Sequence, residues 1–207
     1  MDPKKRWREC RPDAGLTWGK TIDGKAMLAA IERYAGCLDG KYVLEVGPGY
    51  GRLCDEIVNS RHNPMAWVGL DISPANVAYL SKWWDYAPFR FVCADAETVT
   101  PDAIVERGKH VNRFDVLVSF VTLHHFHPTW QRALTNLSDL LMPGAVVIFD
   151  CHEGEQRYSE PDGTYIASYL RGEVSSLLAS AGYQLVEIGN IKHDPAHERM
   201  LVVARKS

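Results

Sequence analysis

The feature that most constrains the fold is a short apolar segment that runs directly into a glycine-rich loop. Residues Tyr42–Val46 read YVLEV, and the chain continues as Gly-Pro-Gly-Tyr-Gly before a helical pattern begins at Leu53. A run this short and apolar is typical of a parallel strand that is buried on both faces. Glycine permits a positive φ and lets a ligand approach the main chain closely. The segment therefore predicts a strand, a tight turn and a helix, in that order.

The same alternation of strand and helix recurs along the chain. Further strands are predicted at residues 67–70, 89–93, 114–120, 145–149, 183–191 and 200–204. Helices are predicted at residues 22–36, 53–58, 73–86, 128–141 and 165–181. This alternation predicts an α/β fold with a doubly wound, mostly parallel sheet. The loop between the last two strands is too short for a crossover helix, so these strands must be antiparallel, which gives a seven-stranded sheet with one antiparallel strand.

The loop between those last two strands carries His193, Asp194 and His197. If the strand before it is parallel to the rest of the sheet, this loop returns on the ligand side and could border a substrate. A solvated hairpin is the simpler interpretation, and we expect these three side chains to be exposed.

Acidic residues accumulate at the ends of the predicted strands. Glu45, Asp71, Asp95 and Asp150 each lie at or next to such an end. In open α/β sheets the ligand binds outside the carboxyl ends of the strands, at the point where the strand order reverses. Unpaired acids at a buried sheet end are costly, so packing alone does not explain them. The pattern predicts a shared binding site.

The spacing of the glycines distinguishes two kinds of nucleotide site. Residues 45–51 follow the pattern E-x-G-x-G-x-G, whereas the dinucleotide fingerprint G-x-G-x-x-G needs its third glycine where this chain has Arg52. A pyrophosphate cradle is therefore disfavoured. Asp71, 20 residues after Gly51, can accept the two hydroxyls of a ribose. Asp95, next to a backbone N–H, can read the donor and acceptor edge of an adenine.

Taken together, the motif of residues 45–51, Asp71, Asp95 and the fourth strand of residues 114–119 resemble the class I S-adenosylmethionine-dependent methyltransferases of the small bacterial, single-domain type. The ordered motifs cover about residues 41–150, and the reversed last strand is also that family's pattern. The resemblance implies a Rossmann-like methyltransferase fold with S-adenosylmethionine as cofactor. The cofactor-binding residues that it implies are Glu45, Gly47, Gly49, Gly51, Asp71, Asp95, Ala96 and Ser119.

The resemblance also implies a role for each of these residues. The three glycines would line the methionine and ribose part of the cofactor, with Glu45 near the amino group. Asp71 would hold the ribose hydroxyls, and Asp95 with Ala96 would face the adenine. Ser119 would lie near the amino-acid moiety.

Three histidines follow the fourth strand, in the run LHHFHP of residues 123–128. With His152 and Glu153 they admit three interpretations: a metal site, a structural cluster, or a proton acceptor beside the substrate. Metal ligation needs convergence and a second shell that a sequence does not show, so no metal is predicted. Methyl transfer needs a general base only when the nucleophile still holds its proton. His124 and His125 are the candidate catalytic residues for that role.

The first residues differ in character from the rest of the chain. Residues 1–21 are basic and aromatic without clean periodicity, and we interpret them as an arm that is either a solvated tail, a lid over the cofactor or a contact for an anion or nucleic acid. The stretch around Trp18 also resembles the N-terminal Trp-Gly segment of some small bacterial methyltransferases, which implies a lid that contacts the cofactor's methionine end through Trp18 and Lys20. Residues 22–207 are expected to form a single methyltransferase domain.

Composition narrows the partners. The net charge of −3 gives no bulk electrostatic case for nucleic acid, and no apolar run reaches the ~18 residues that a membrane span needs. Five scattered cysteines favour reduced thiols in a cytoplasmic location. We expect a small-molecule or glycan or lipid-linked acceptor and leave the oligomeric state open. The alternatives are an NAD(P)-dependent oxidoreductase and a non-catalytic binding subunit with the methyltransferase fold.

Overall fold

The computed structural model describes residues 2, 4–12, 22–84, 86–106, 109–110, 113–193 and 198–207. The helices in this part of the chain are α1 (Lys5–Arg8), α2 (Gly24–Ala35), α3 (Arg52–Asn59), α4 (Pro74–Trp83), α5 (Gln131–Ser138) and α6 (Arg171–Ser180). The strands are β1 (Tyr42–Val46), β2 (Ala66–Asp71), β3 (Phe89–Cys93), β4 (Val105–Glu106), β5 (Lys109–His110), β6 (Phe114–Ser119), β7 (Leu141–Glu153), β8 (Arg157–Ser159), β9 (Tyr165–Tyr169), β10 (Tyr183–Ile191) and β11 (Arg199–Lys206). Among these described helices, none is long and apolar enough to span a membrane.

The main sheet follows the order β10-β11-β7-β6-β1-β2-β3. Its strand pairs are parallel except for the two pairs made by β11, which is antiparallel to both β7 and β10. This confirms the predicted seven-stranded, doubly wound sheet with one reversed strand. Two short strands extend it at one end, because β9 pairs with the last residues of β7, and β8 pairs with β9. The pair β4–β5 is separate.

Both faces of the sheet are covered, which explains why its central strands are apolar throughout. Val43 of β1 packs into a core formed with helices α2, α3 and α4, where Met27 and Leu53 are buried. Leu44, the next residue, packs into a second core with α5 and α6, which includes Leu134. Successive side chains of a strand point to opposite faces, so a strand between two helical layers has no position for a solvated residue.

The strand order reverses at β1, and this places the site. The chain passes from β1 to β2 and β3 on one side and then returns to β6 on the other side of β1. The connections after β1 and β6 therefore diverge at the carboxyl end of the sheet, where a crevice opens. The glycine loop and the acids that follow β2 and β3 lie at this end.

The predicted helix at residues 165–181 is wrong in its first part. Residues Tyr165–Tyr169 form β9, and the helix begins only at Arg171. Burial in β9 alternates with the period of a strand, since Tyr165, Ala167 and Tyr169 are buried and the residues between them are half-buried. Pairing with β7, which continues to Glu153, decides the outcome. The other predicted strands and helices agree with the structure to within a few residues at each end.

Candidate active site

The loop after β1 adopts a conformation that favours glycine. Gly47 has a φ of +73°, and a Cβ there would lie 2.3 Å from Thr122 Oγ1. Gly49 has a φ of +61°, and a Cβ there would meet no atom within 4 Å, which leaves open space over this residue. The Gly47 amide donates to the Leu70 carbonyl at 2.8 Å, and Gly51 is the N-cap of α3. Packing therefore demands glycine at position 47, whereas backbone conformation favours it at position 49.

A cleft of about 950 Å³ lies over the carboxyl ends of β1, β2, β3 and β6. The predicted site residues in its lining are Gly47, Gly49, Asp71, Asp95, Ala96 and His125. The predicted site residues outside the lining are Glu45, Gly51, Ser119 and His124. This volume is near the upper end of the ~300–1,000 Å³ that is typical of small-molecule sites. The cleft is large enough for a nucleoside-sized ligand and a second small molecule.

Asp71, at the end of β2, ties the glycine loop to the start of α4. Its Oδ2 accepts from the Gly49 amide at 3.2 Å, and its Oδ1 accepts from the Ser73 amide at 2.8 Å. Asn76 Nδ2 lies 3.4 Å from Oδ2. Burial raises the pKa of the Asp71 carboxyl to about 6, against the hydrogen bonds from these three residues, which lower it. A carboxylate can accept about four hydrogen bonds, so the ionised group still has room for a hydroxyl.

Asp95 is engaged by the N-terminal arm. Lys4 Nζ donates to Asp95 Oδ2 at 2.6 Å and forms a second ion pair with Glu97. The other oxygen of Asp95 accepts from the Glu97 amide at 3.0 Å. The acid that the resemblance assigns to the adenine is therefore also a contact of the arm. The predicted arm contacts through Trp18 and Lys20 fall outside the described residues.

The arm crosses the cleft in two further places. Ser73 Oγ donates to the Cys10 carbonyl at 2.7 Å, which joins the arm to the N-cap of α4. The Trp7 indole lies against the imidazole of His125, with 4.3 Å between ring centroids. These contacts attach the arm to residues of the cleft and its rim.

Glu45 and Ser119 lie behind the loop. Glu45 is 5% exposed, and its Oε2 accepts from Trp67 Nε1 at 2.8 Å. Burial raises the pKa of the Glu45 carboxyl to about 7, against the Trp67 hydrogen bond and the Arg52 charge. Ser119 Oγ donates to the Val46 carbonyl at 2.9 Å. Both side chains hold the ends of β1 and β6 in place, and their contact with the amino-acid part of a cofactor stays a prediction.

His125 lies in the cleft with one nitrogen already bonded. Its Nδ1 is 2.8 Å from the Tyr165 carbonyl. Because a carbonyl only accepts, Nδ1 carries the proton and Nε2 keeps its lone pair. Burial lowers the pKa of His125 to about 4, against the Tyr165 hydrogen bond. The ring is therefore neutral at neutral pH, which is the form that can take up a proton.

His124 lies behind His125 and plays a different part. It is buried, and its ring centroid is 3.9 Å from that of His125. Its Nδ1 lies 3.3 Å from Arg199 Nη1, and because a guanidinium only donates, this nitrogen must be the acceptor. Burial and the nearby positive charge lower the pKa of His124 well below its ordinary value. The two predicted catalytic histidines thus separate into one that reaches the cleft and one that supports it.

A buried ionic cluster behind these histidines was not predicted from the sequence. Asp150 Oδ1 accepts from the Val121 amide at 2.6 Å, and Asp150 Oδ2 lies 2.6 Å from His193 Nε2. Arg199 Nε is 3.6 Å from the same oxygen. Burial acts to raise the pKa of Asp150, but the His193 hydrogen bond and the Arg199 charge hold it below its usual value. Asp150 is therefore a buried anion in contact with Val121 and Arg199, two residues of the cleft lining.

The expectation of a solvated hairpin is wrong at His193. This side chain is buried at 1% exposure, because its ring bonds Asp150 and lies edge-on to Phe120. Asp194 and His197 fall outside the described residues. The start of this loop therefore approaches the site, as the alternative interpretation allowed.

Arg52 is a second residue that the sequence did not assign to the site. It is the first residue of α3 and lines the cleft, with its guanidinium 5.2 Å from the Tyr50 ring centroid. Its Nε and Nη1 are buried and have no hydrogen-bond partner in the described part of the chain. From the sequence, position 52 was interpreted only as the place of a missing glycine. An arginine directly after a glycine-rich loop is itself a signal of a group that can bind an anion at the site. A guanidinium in this state can bind a carboxylate through two parallel hydrogen bonds.

The histidines beside the cleft contact groups other than potential metal ligands. Among the described residues, the group of three or more potential ligands whose atoms lie close together is Cys37, Asp39 and His62, which lie outside the cleft lining. His124 and His125 instead contact an arginine and a backbone carbonyl.

The sequence of the chain matches a known protein family over most of its length. Residues 20–188 match a family described as a methyltransferase domain. The phthiotriol/phenolphthiotriol dimycocerosates methyltransferase of Mycobacterium leprae is 30% identical over 107 residues, which are 52% of this chain and 36% of that protein. The match thus spans about a third of the relative's length.

Two solved structures show the same fold. One is 1,6-didemethyltoxoflavin-N1-methyltransferase of Burkholderia thailandensis with bound 1,6-didemethyltoxoflavin and S-adenosylhomocysteine, at 20% identity and a TM-score of 0.73 over 94% of this chain and 83% of that one. The other is an S-adenosylmethionine-dependent methyltransferase of Mesorhizobium loti, at 15% identity and a TM-score of 0.68 over 87% of this chain and 98% of that one. At such identities the likeness concerns the fold.

Proposed function

The chain belongs to the S-adenosylmethionine-dependent methyltransferases, and on that premise we propose that it transfers a methyl group to a small-molecule acceptor with His125 as the general base. The family and the fold are those that the sequence predicted. The observation that carries the proposal is the cleft itself, which joins the glycine loop and Asp71 to a histidine whose Nε2 has its lone pair available.

The residues of the cleft fit the cofactor. Arg52 offers two buried N–H groups without partners, which complement the cofactor's carboxylate. Asp71 keeps an acceptor position for ribose hydroxyls, and Gly49 leaves open space where a side chain would stand. Asp95 and Ala96 line the part of the cleft that we assign to the adenine.

The chemistry divides simply between the cofactor and the protein. S-adenosylmethionine, when bound, supplies a methyl group on a positively charged sulfur. A nucleophilic atom would attack the methyl carbon in line with the carbon–sulfur bond, with the sulfur as the leaving group. The cleft residues contribute by holding the acceptor at reacting distance, which accounts for most of the acceleration in such a reaction. His125 Nε2 takes the proton that an acceptor hydroxyl or amine loses. The Tyr165 carbonyl keeps that nitrogen unprotonated by fixing the proton on Nδ1.

A small molecule is the acceptor that the cleft favours. The arm and the turn around Asp162 border its mouth, and Arg6 of α1 forms an ion pair with that residue. A concave site of this kind suits a compact substrate better than a polymer. A glycan or lipid-linked acceptor would have to enter with one end only.

We place the reaction in the cytoplasm, because Cys54 and Cys151 are buried thiols suited to a reducing compartment.

Thermal unfolding with three ligands tests the proposed cofactor. At a concentration a hundredfold above its Kd, a ligand stabilises the fold by about 2.7 kcal/mol, and for a chain of this size that raises Tm by roughly 5–10 °C. We expect this shift with S-adenosylhomocysteine and none with NAD or ATP, with calorimetry to give the Kd. A shift with NAD, or no response to S-adenosylhomocysteine at millimolar concentration, would contradict the proposal.

We also propose that residues 1–21 act as a lid on the domain formed by residues 22–207. The contacts of Lys4, Trp7 and Cys10 support it, since each joins the arm to a residue of the cleft or its rim. Deletion of residues 1–12 should speed the dissociation of S-adenosylhomocysteine and weaken its binding roughly tenfold, about 1.4 kcal/mol, because the arm would no longer close the cleft over the ligand. Arg8→Ala is the control, since this exposed residue bonds only to Asp2 in the described part of the chain. Equal affinities of the truncated and full chains would refute the lid.

A further inference from the structure

A buried arginine lines the cleft beside the proposed base. Arg199, at the start of β11, is 6% exposed and belongs to the cleft lining together with Val121 and His125. Arginine keeps its charge at any ordinary pH. Burying that charge has a cost that only strong partners offset. The partners that Arg199 has within the protein therefore decide whether this charge serves the fold alone.

The nearest anion is already bonded to other groups. Asp150 uses Oδ1 for the Val121 amide and Oδ2 for His193, each at 2.6 Å. Arg199 Nε lies 3.6 Å from Oδ2, which is beyond hydrogen-bond distance, and this buried nitrogen has no hydrogen-bond partner among the residues that the structure describes. Asp150 thus balances the charge of the guanidinium from a distance and leaves its hydrogen-bonding capacity unsatisfied.

The other contact of Arg199 is weak. Its Nη1 is 3.3 Å from His124 Nδ1, a long hydrogen bond to a neutral ring. A structural arginine in such a position usually forms short bonds to a carboxylate or to carbonyls. The described residues around Arg199 hold its guanidinium in place but leave part of its hydrogen-bonding capacity unused. A guanidinium in this state can bind an anionic ligand.

The remaining buried or paired cations of the cleft have other partners. Lys4 bonds Asp95 and Glu97, and Arg6 pairs with Asp162. Arg52 directly follows the glycine loop, and the proposed function assigns it to the cofactor's carboxylate. Lys5 and Arg11 are exposed at the rim, so Arg199 is the buried cation that serves the acceptor half of the described cleft.

We propose that Arg199 binds an acidic group of the acceptor, either a carboxylate or a phosphate, so that the enzyme selects anionic small molecules. The inference rests on the proposed function, since it names the class of acceptor for that site. The chain of contacts from Arg199 through His124 to His125 sets the anion position next to the base. An acceptor is then held by its acidic group while its hydroxyl or amine faces His125 Nε2.

The backbone of the site supports this arrangement. Val121, a β-branched residue, has a φ of +58°, a conformation that such residues rarely adopt. Its amide donates to Asp150 Oδ1 in that conformation. The strained turn therefore directs a donor at the carboxylate that would otherwise bond Arg199, and this leaves the guanidinium available to a ligand.

Binding of matched acids and amides to the protein saturated with S-adenosylhomocysteine tests the inference. The probes are benzoate, phenyl phosphate and the uncharged benzamide, chosen as aromatic because Trp7 and Phe126 also line the cleft. We expect at least one of the two acids to bind about tenfold or more tightly than benzamide, as a charge-assisted pair with a buried guanidinium should. The two acids together tell a carboxylate site from a phosphate site.

Variants locate the effect. Arg199→Gln should abolish the preference for the acid, and Arg199→Lys should keep only part of it, because lysine lacks the planar fork. Arg205→Gln is the matched control, since this exposed arginine on the same strand bonds the Gly144 carbonyl away from the cleft. Each variant is also titrated with S-adenosylhomocysteine, whose unchanged affinity shows that the fold and the cofactor site are intact.

The outcomes separate the inference from the proposed function. Equal affinity of the wild-type protein for the acids and for benzamide, or no binding of either acid at millimolar concentration, overturns the role of Arg199. An acid preference that persists in Arg199→Gln overturns it as well. Loss of S-adenosylhomocysteine binding in the wild-type protein would instead defeat the proposed function on which the inference rests.

Discussion

Replacing His125 with alanine lowers the turnover number by about 10²–10⁴-fold, the range that a positioned general base contributes, and leaves the affinity for S-adenosylhomocysteine unchanged. The expectation follows from the two nitrogens of the ring. Nδ1 is committed to the Tyr165 carbonyl, so Nε2 is the one available to take a proton in the cleft. The cofactor contacts that we assign to Arg52 and Asp71 do not involve this side chain.

The measurement is the rate of S-adenosylhomocysteine formation with an acceptor whose nucleophile is a hydroxyl or an amine. His127→Ala is the control, because His127 is an exposed histidine two residues away whose ring lies against Tyr165. Since the pKa of His125 is about 4, the base stays neutral at physiological pH, and the rate should fall only as the pH drops towards that value. Unaltered turnover in the His125→Ala variant would reject His125 as the base, and unaltered turnover in His124→Ala as well would reject any histidine base.

The parts of the site that could be predicted are those that residues close together in the sequence determine. The glycine loop and Asp71 each follow directly from a strand, so the order of elements along the chain already places them at one end of a parallel sheet. Their surroundings also depend on local features, such as the positive φ of Gly47 and the N-cap of Ser73. Both features leave recognisable residue types in the sequence.

The parts that could not be predicted depend on contacts between distant segments. Arg199 reaches the cleft only because β11 lies next to β7 in reversed orientation, and His193 is buried only because Asp150 is there to bond it. In the sequence, Arg199 looks like any charged residue at the end of a strand, and His193 looks like any residue of a polar loop. The helix prediction for Tyr165–Tyr169 was wrong for a related reason, because this segment becomes a strand through its pairing with β7.

The exchange of Asp71 for asparagine should weaken S-adenosylhomocysteine binding by about 10–100-fold. A hydrogen bond to a charged group contributes ~1.5–3 kcal/mol, and tenfold in Kd corresponds to about 1.4 kcal/mol. The substitution keeps the size of the side chain and removes its charge, so the ribose hydroxyls lose an anionic acceptor. Asp115→Asn is the matched control, because Asp115 likewise accepts from a backbone amide, that of Tyr42 at 2.9 Å, at the opposite end of the sheet.

The pH dependence of binding tests the charge of Asp71 directly. Burial raises the pKa of this carboxyl to about 6 from an ordinary value of 3.8. The favourable contribution of Asp71 to the free energy of unfolding is therefore fully present below pH 3.8 and lost as the pH rises through about 6. Ligand binding has the opposite trend, because the hydroxyls need the ionised form. Calorimetry should show wild-type affinity falling as the pH drops through about 6, while Asp71→Asn shows no such step. A step that persists in the variant would assign the titration to another group, and one centred near 4 would point to His125, whose pKa lies there.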